Sequence, residues 1–341
     1  MANIMVNEAC NLRCPYCFAE EFVNHNPREM ALGDFRTALN FALSDRDERQ
    51  VGIIGGEPLL YKHINEVMRI AINDPRTEHV MIYTNAVELD RLDTDILLSP
   101  KFRMLVNCNS PEDMGEKAFE KMYGNLIRFV DDYRGDGRFR LSVNIYKPDY
   151  DYSFIIPIVN NIGFDVIRLS ISVPQKGDLN GKTPLEYFNE MKPVAIRFIG
   201  DMLKCGAITG FDCNFIPDCV FTSSERESLM ATKSVLRAAL ERNYSRAFWD
   251  RVMFCEYNNC TPVIDILPDL RAIRCFGLSE YTKEDIRDFR NINELRKHYV
   301  STVDRVACNF WTEEACIDCY NREVMLCSCG CLLFKADRII K

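Results

Sequence analysis

Through the first two-thirds of the chain, short apolar, β-branched runs alternate with stretches whose apolar residues recur at helical spacing. The pattern predicts strands at residues 4–7, 51–54, 80–83, 103–107, 140–146 and 166–173, and amphipathic helices at 32–43, 64–72, 119–133 and 155–161. Strands separated by helices imply parallel βαβ crossovers, and six such units fit an α/β, barrel-like sheet. Each strand ends in small or polar residues, among them Asn7, Gly55-Gly56, Thr84-Asn85 and Asn107-Cys108-Asn109. In βα folds that is the end where ligands gather. A helical region at about 225–248 then leads into a tail of different composition. There, 263–267 and 271–275 predict a hairpin around Pro268-Asp269-Leu270, and 294–300 a short helix. The expected divisions are 1–205, 206–250 and 251–341.

Composition narrows the function classes. The 341 residues are 47% hydrophobic and 27% charged, as in folded globular proteins. The net charge of −8, with no run of Lys or Arg, argues against nucleic acid as a partner. No N-terminal signal pattern and no membrane-length apolar run is present, so a cytoplasmic protein is expected. Against that background sixteen cysteines are many. Reducing compartments disfavour disulfides, and clustered thiols there more often bind metal. Cys108, Cys205, Cys213 and Cys219 read as core thiols, although Cys213 and Cys219 are also candidates to join a cluster or line the active site. His25, His63, His79 and His298 stand singly, without metal-ligand spacing. Trp249 and Trp311 read as packing residues.

The densest chemistry follows the first strand: CNLRCPYCF, with Cys10, Cys14 and Cys17 at C-x3-C-x2-C spacing. A structural zinc site wants four ligands. Three thiolates suit a [4Fe–4S] cubane whose fourth iron is open to an exogenous ligand. The alternatives are a zinc site completed by a distant histidine, or thiols buried as small hydrophobes. The loop resembles the signature of the radical SAM superfamily, C-x3-C-x-aromatic-C, with Tyr16 as the aromatic residue. Gly55-Gly56-Glu57-Pro58, closing the second strand, matches that family's GGEP segment, which meets the amino group of S-adenosylmethionine. Thr84-Asn85 resembles the family's Thr-Asn-Gly, with Ala86 in place of glycine. Asn107 and Asn109 stand where the family has Ser and Asp near the ribose, and Asn144 is a further candidate. The resemblance implies a partial (β/α)6 TIM-like barrel. It also implies reductive cleavage of S-adenosylmethionine to methionine and a 5′-deoxyadenosyl radical, which abstracts a substrate hydrogen.

The tail carries nine cysteines between Cys255 and Cys331. Their order resembles the SPASM extension of radical SAM enzymes, a small cysteine-rich domain holding one or two auxiliary [4Fe–4S] clusters. Three features depart from that pattern. Leu270 replaces a glycine, seven residues separate Cys319 from Cys327, and no cysteine follows Cys331. The resemblance implies one cluster on Cys255, Cys260, Cys275 and Cys331. It implies another on Cys316, Cys319 and Cys327, completed by Cys308 or Cys329. A zinc ribbon using Cys316 and Cys319 is the alternative.

Auxiliary clusters suit enzymes that oxidise or cross-link peptide side chains. A ribosomal-peptide maturase is therefore the favoured expectation, with a peptide or protein substrate and a one-electron donor such as flavodoxin or ferredoxin. Only nine residues precede Cys10. A leader would then be bound by a separate partner protein or by the barrel face, unless the substrate is not a leader peptide. The other readings are a small-molecule radical dehydrogenase, a sulfatase-maturating type of formylglycine formation, and a non-catalytic iron–sulfur or zinc scaffold. The sulfatase-maturating enzymes carry Asp after the second tail cysteine, where this chain has Phe276.

Overall fold

A computed structural model describes residues 2–135, 137–174, 179–211, 216–227, 263–324, 327 and 330–339. Cys213, Cys255, Cys260, Cys329, Trp249 and nearly all of the helix predicted at 225–248 lie outside the described residues. The fold is α/β with a mostly parallel sheet, as the alternating pattern predicts. It divides into two compact units, residues 1–140 with 261–305, and 141–260 with 306–341.

The first unit is built on β1 (Ala2–Met5), β2 (Gln50–Ile54), β3 (His79–Thr84) and β4 (Phe102–Asn107), joined in parallel in that order. The helices between them are α1 (Leu32–Ala42), α2 (Ile64–Asn73), α3 (Thr94–Leu97), α4 (Pro111–Met114) and α5 (Glu116–Tyr133). β2 is buried from Val51 onward, whereas β3 alternates half-buried and buried positions. Phe35 and Leu39 of α1, Val67 and Met68 of α2, and Ile4, Val51, Ile53 and Ile82 of the strands are all buried. Burying such a side chain is worth about 1.5–3 kcal/mol, which is why the strand runs read so clearly in the sequence.

The predicted tail hairpin forms, and its place in the sheet was not legible. The chain of β8 (Ile264–Ile266) runs parallel to β1, with Ala2 opposite Ile264 and Ile4 opposite Ile266. β9 (Arg271–Ile273) and β10 (Glu284–Asp285) extend the edge in antiparallel fashion. Asn3 Nδ2 donates to Asp265 Oδ1 at 2.7 Å, with both residues buried. Leu270, at the corner, has φ of +66° and is buried. The helix Ile292–Tyr299 is N-capped by Asn291, whose side chain accepts from the N–H of Glu294. Arg296 on that helix reaches Asp45 and Glu48.

The second unit contains three parallel strands, β5 (Phe139–Ile145), β6 (Val166–Ile171) and β7 (Ile208–Phe211), the chain passing from one unit to the other within β5. Helices α6 (Ile155–Ile162) and α7 (Pro184–Lys204) connect them. α7 and β7 were not predicted. Pro193 inside α7 interrupts the helical pattern, because proline removes a backbone donor and clashes with the preceding turn. The helix starts at a full capping box. Thr183 accepts from the N–H of Glu186, and the Glu186 carboxylate accepts from the N–H of Thr183. Among the described residues, no helix is long and apolar enough to cross a membrane.

Candidate active site

The cluster-binding loop leaves β1 and is held by backbone and side-chain contacts from three directions. The N–H of Gly56 donates to Asn7 O at 2.9 Å, and that of Glu57 donates to Ala9 O at 2.7 Å. A Cβ on Gly56 would lie 2.5 Å from Ala9 O and 3.0 Å from Cys10 Cβ, so this approach requires glycine. Asn24, itself at φ of +62°, grips the backbone of Cys10 from both sides. Its Oδ1 accepts the Cys10 N–H at 2.9 Å and its Nδ2 donates to Cys10 O at 3.2 Å. Glu8 is buried and paired with Arg28, whose guanidinium also reaches Asp269.

Cys10, Cys14 and Cys17 are all half-buried and none is in a disulfide. Burial pushes the Cys10 thiol up to about 11, against the opposing N–H of Leu12, which meets Sγ at 3.4 Å. Cys14 rises to about 12 through burial and then the neighbouring Cys17 and Cys10 charges. Asn109, 1% exposed, donates from Nδ2 to Cys14 Sγ at 3.2 Å and accepts the Tyr16 hydroxyl at Oδ1. Packed against the underside of the loop is an apolar cluster of Met5, Phe22, Ile54, Leu267 and Phe276, with Cys10 and Cys17 at its edge. Phe276 lies 5.0 Å from the Phe18 ring and 5.7 Å from Phe22.

Glu57 is 1% exposed, and its carboxylate already serves the scaffold. Oε1 accepts from Thr84 Oγ1 at 2.6 Å and from the N–H of Leu59 at 3.0 Å, while Oε2 accepts from the N–H of Asn85 at 2.8 Å. Burial outweighs those three donors and lifts its pKa to about 7. A carboxylate has about four acceptor positions, so Oε2 retains one for an ammonium group. Pro58 opens a 3₁₀ turn, Pro58–Leu60, for which Glu57 is the cap. Asn85 Nδ2 donates to Asn11 Oδ1 in the cluster loop at 2.8 Å, and Ala86 takes φ of +57°.

The structure thus gathers Cys10, Cys14, Cys17, Tyr16, Gly55, Gly56, Glu57, Thr84 and Asn85 at the strand ends of the first unit. Asn107 is half-buried at the end of β4, and Asn144 is half-buried on β5 in the second unit. Asn24 was missed, and Asn109 was placed near a ribose rather than on a cysteine. Their contacts span 14 and 95 residues of sequence, respectively. Of the tail cysteines, Cys275 is half-buried in the first unit. In the second, Cys316, Cys319, Cys327 and Cys331 are half-buried and Cys308 is exposed. Cys108 is buried and Cys205 half-buried.

The donor set fits the group that the motif implies. Three thiols outside any disulfide, each receiving an N–H donor, line an apolar-floored loop beside glycines that leave backbone room. Among the described residues, no three Cys, His, Asp or Glu converge closely enough for one metal ion. A cubane asks for something else, one thiolate on each of separate irons.

Residues 4–140 match the family model described as Radical SAM superfamily. A 15% identical structure of Streptococcus suis SuiB bound to S-adenosylmethionine superimposes with a TM-score of 0.58, covering 97% of this chain and 72% of that one. A structure of native anSMEcpe with bound AdoMet and Kp18Cys peptide does so with a TM-score of 0.58 at 16% identity, covering 97% and 88%. Curated relatives match more locally. GTP 3′,8-cyclase of Chlorobaculum tepidum is 40% identical over 89 residues, 26% of each chain, and that of Mycobacterium marinum 38% identical over 89 residues, 25% of this chain and 24% of that one. The chain therefore spans about a quarter of the length of the curated relatives it matches. A [4Fe–4S] cluster and S-adenosylmethionine are the cofactors of the matched domain. With its three-cysteine loop and its GGEP turn brought together, this chain carries a radical SAM domain over residues 4–140.

Proposed function

We propose that this enzyme oxidatively modifies a peptide or protein, with cross-linking of a ribosomal peptide's side chain as the favoured outcome. Cys10, Cys14 and Cys17 would hold a [4Fe–4S] cluster, which would supply the electron for cleaving S-adenosylmethionine to methionine and a hydrogen-abstracting 5′-deoxyadenosyl radical. The chain's own residues position and exclude. Asn24 and Gly56 fix the Cys10 backbone, Asn109 orients Cys14 and Tyr16, and Glu57 offers its remaining acceptor position to the ammonium of the cosubstrate. Thr84, Asn85, Asn107 and Asn144 are assigned to the rest of that molecule.

The observation that carries a peptide substrate is the extent of the structural likeness. It covers 97% of the chain for SuiB bound to its precursor peptide SuiA and for anSMEcpe bound to a peptide. We assign the tail as a SPASM-type domain that holds one or two auxiliary clusters, an acceptor for the second electron of a net oxidation. Residues 1–205 form the catalytic domain in this reading, 206–250 the bridge and 251–341 the cluster domain. Phe276 sits in the apolar packing beneath the loop and has no proton-accepting group, which speaks against formylglycine formation. The electron donor in this reading is a one-electron carrier such as flavodoxin or ferredoxin.

Anaerobically reconstituted enzyme with reductant and S-adenosylmethionine should release 5′-deoxyadenosine, and Cys14→Ala should release none. Peptides encoded beside the gene should lose two hydrogens by mass spectrometry. The local match to GTP 3′,8-cyclases favours a second reading, GTP as substrate. Conversion of GTP with no change in any peptide would replace the first reading by the second.

A further inference from the structure

In the second unit, one pocket is lined by Cys219, Cys316, Cys319 and Cys327, together with Leu185 and Phe188. The four thiols come from separate segments. Cys219 is the middle residue of a 3₁₀ turn, Asp218–Val220, which follows β7 in the chain. Cys316 ends the turn Glu314–Cys316, and Cys319 caps the helix Tyr320–Glu323. The N–H of Cys327 is tied to Asn321 O at 2.9 Å. None of the four is in a disulfide. Of the tail cysteines described, neither Cys308 nor Cys331 lines the pocket.

We propose that Cys219 is the fourth thiolate of an auxiliary [4Fe–4S] cluster whose other ligands are Cys316, Cys319 and Cys327, a proposal that rests on the auxiliary-cluster reading above. Cys219 comes from about 100 residues earlier in the chain than the other three. Four cysteines around one pocket suit a metal centre bound through several sulfurs. Among the described residues they do not converge on a single-ion point, whereas a cubane spreads four thiolates over four irons. Four protein ligands leave that cluster no open iron. It carries electrons and does not bind substrate.

The test uses the full chain with Cys10, Cys14 and Cys17 replaced by Ala, so that only auxiliary iron remains. Iron, sulfide and zinc per chain are measured after reconstitution, with the EPR spectrum of the reduced protein. Adding Cys219→Ala should remove about four irons per chain, or leave a three-iron signal. Cys219→Ser, which keeps an oxygen ligand, should retain iron with a shifted spectrum and so separates ligand loss from misfolding. If Cys219→Ala and Cys219→Ser both match the background in iron and spectrum while Cys316→Ala loses a cluster, the assignment of Cys219 is overturned and the auxiliary cluster stands. If the background chain binds no iron, or binds zinc in its place, the auxiliary-cluster reading fails with it.

Discussion

Replacing Gly56 with alanine tests how tightly the second strand's loop is fitted to the cluster loop. The added Cβ would lie 2.5 Å from Ala9 O and 2.7 Å from Ala9 C, both backbone atoms, and 3.0 Å from Cys10 Cβ. Non-bonded carbon contacts are comfortable near ~3.5 Å, so the Ala9–Cys10 backbone must retreat by roughly 0.8 Å. The hydrogen bond from the N–H of Glu57 to Ala9 O, now 2.7 Å, would then stretch to the limit of a real bond. Losing it costs about 1 kcal/mol, and the overpacking a further ~1–3 kcal/mol. Together these amount to about 2–4 kcal/mol, or a Tm lowered by roughly 4–8 °C. The same displacement at Cys10 greatly exceeds the ~0.2 Å tolerance of a metal–ligand distance. Gly56→Ala should therefore lose most of its N-terminal iron on reconstitution, measured in a variant lacking the tail cysteines. A control, Gly33→Ala, places its Cβ with nothing within 4 Å and should leave both quantities unchanged. A Gly56→Ala protein that loads iron fully and melts within about 1 °C of the wild type would refute the reasoning.

Asp265 is held up to about 6 by burial, against its bond from Asn3 and the charge of Arg274. A carboxyl raised in the folded state contributes stability that is present below its ordinary pKa and lost as pH rises through about 6. The loss amounts to about 3 kcal/mol, and urea melts between pH 4 and 8 should show Asp265→Asn flattening that slope. Ala86→Val puts a β-branched side chain at φ of +57° in a site with no exposure and should destabilise by more than about 2 kcal/mol, whereas Ala86→Gly should fall within about 1 kcal/mol of wild type by chemical denaturation. Asn109→Ala removes the donor to Cys14, so the potential of the N-terminal cluster should fall in a redox titration while iron content holds. An unchanged potential would show that the contact does not tune the site.

Most of the first unit was legible because its strands are buried apolar runs and its helices have a single apolar face. The predicted strands at 51–54 and 103–107 fall short of β2 and β4 by one residue at the start, and that at 80–83 falls short of β3 by one residue at each end. What escaped was long-range pairing. Nothing local in Ile264–Ile266 announces that it will lie beside residues 2–4, and nothing around Asn24 or Asn109 announces a cysteine as its partner. The GGEP segment follows the end of β2 as predicted, and Glu57 binds the end of β3, a scaffold duty its sequence context does not show. Two departures from the family pattern gain a physical meaning. Ala86 and Leu270 stand where glycine is usual, and both take positive φ, the region a glycine enters without strain. Cys219 looked like a core thiol because its companions are about 100 residues away.

The strand that feeds the cysteine loop has neighbours made at very different times during synthesis. Its partner β2 emerges within about 50 residues, but β8 and the Asp265 that pairs with Asn3 follow 262 residues later. At typical translation rates of ~5–20 residues per second, one flank of the nascent strand stays bare for roughly 15–50 s. Bare strand edges invite intermolecular pairing. Chains truncated before Ile264 should thus aggregate more readily than chains that include it.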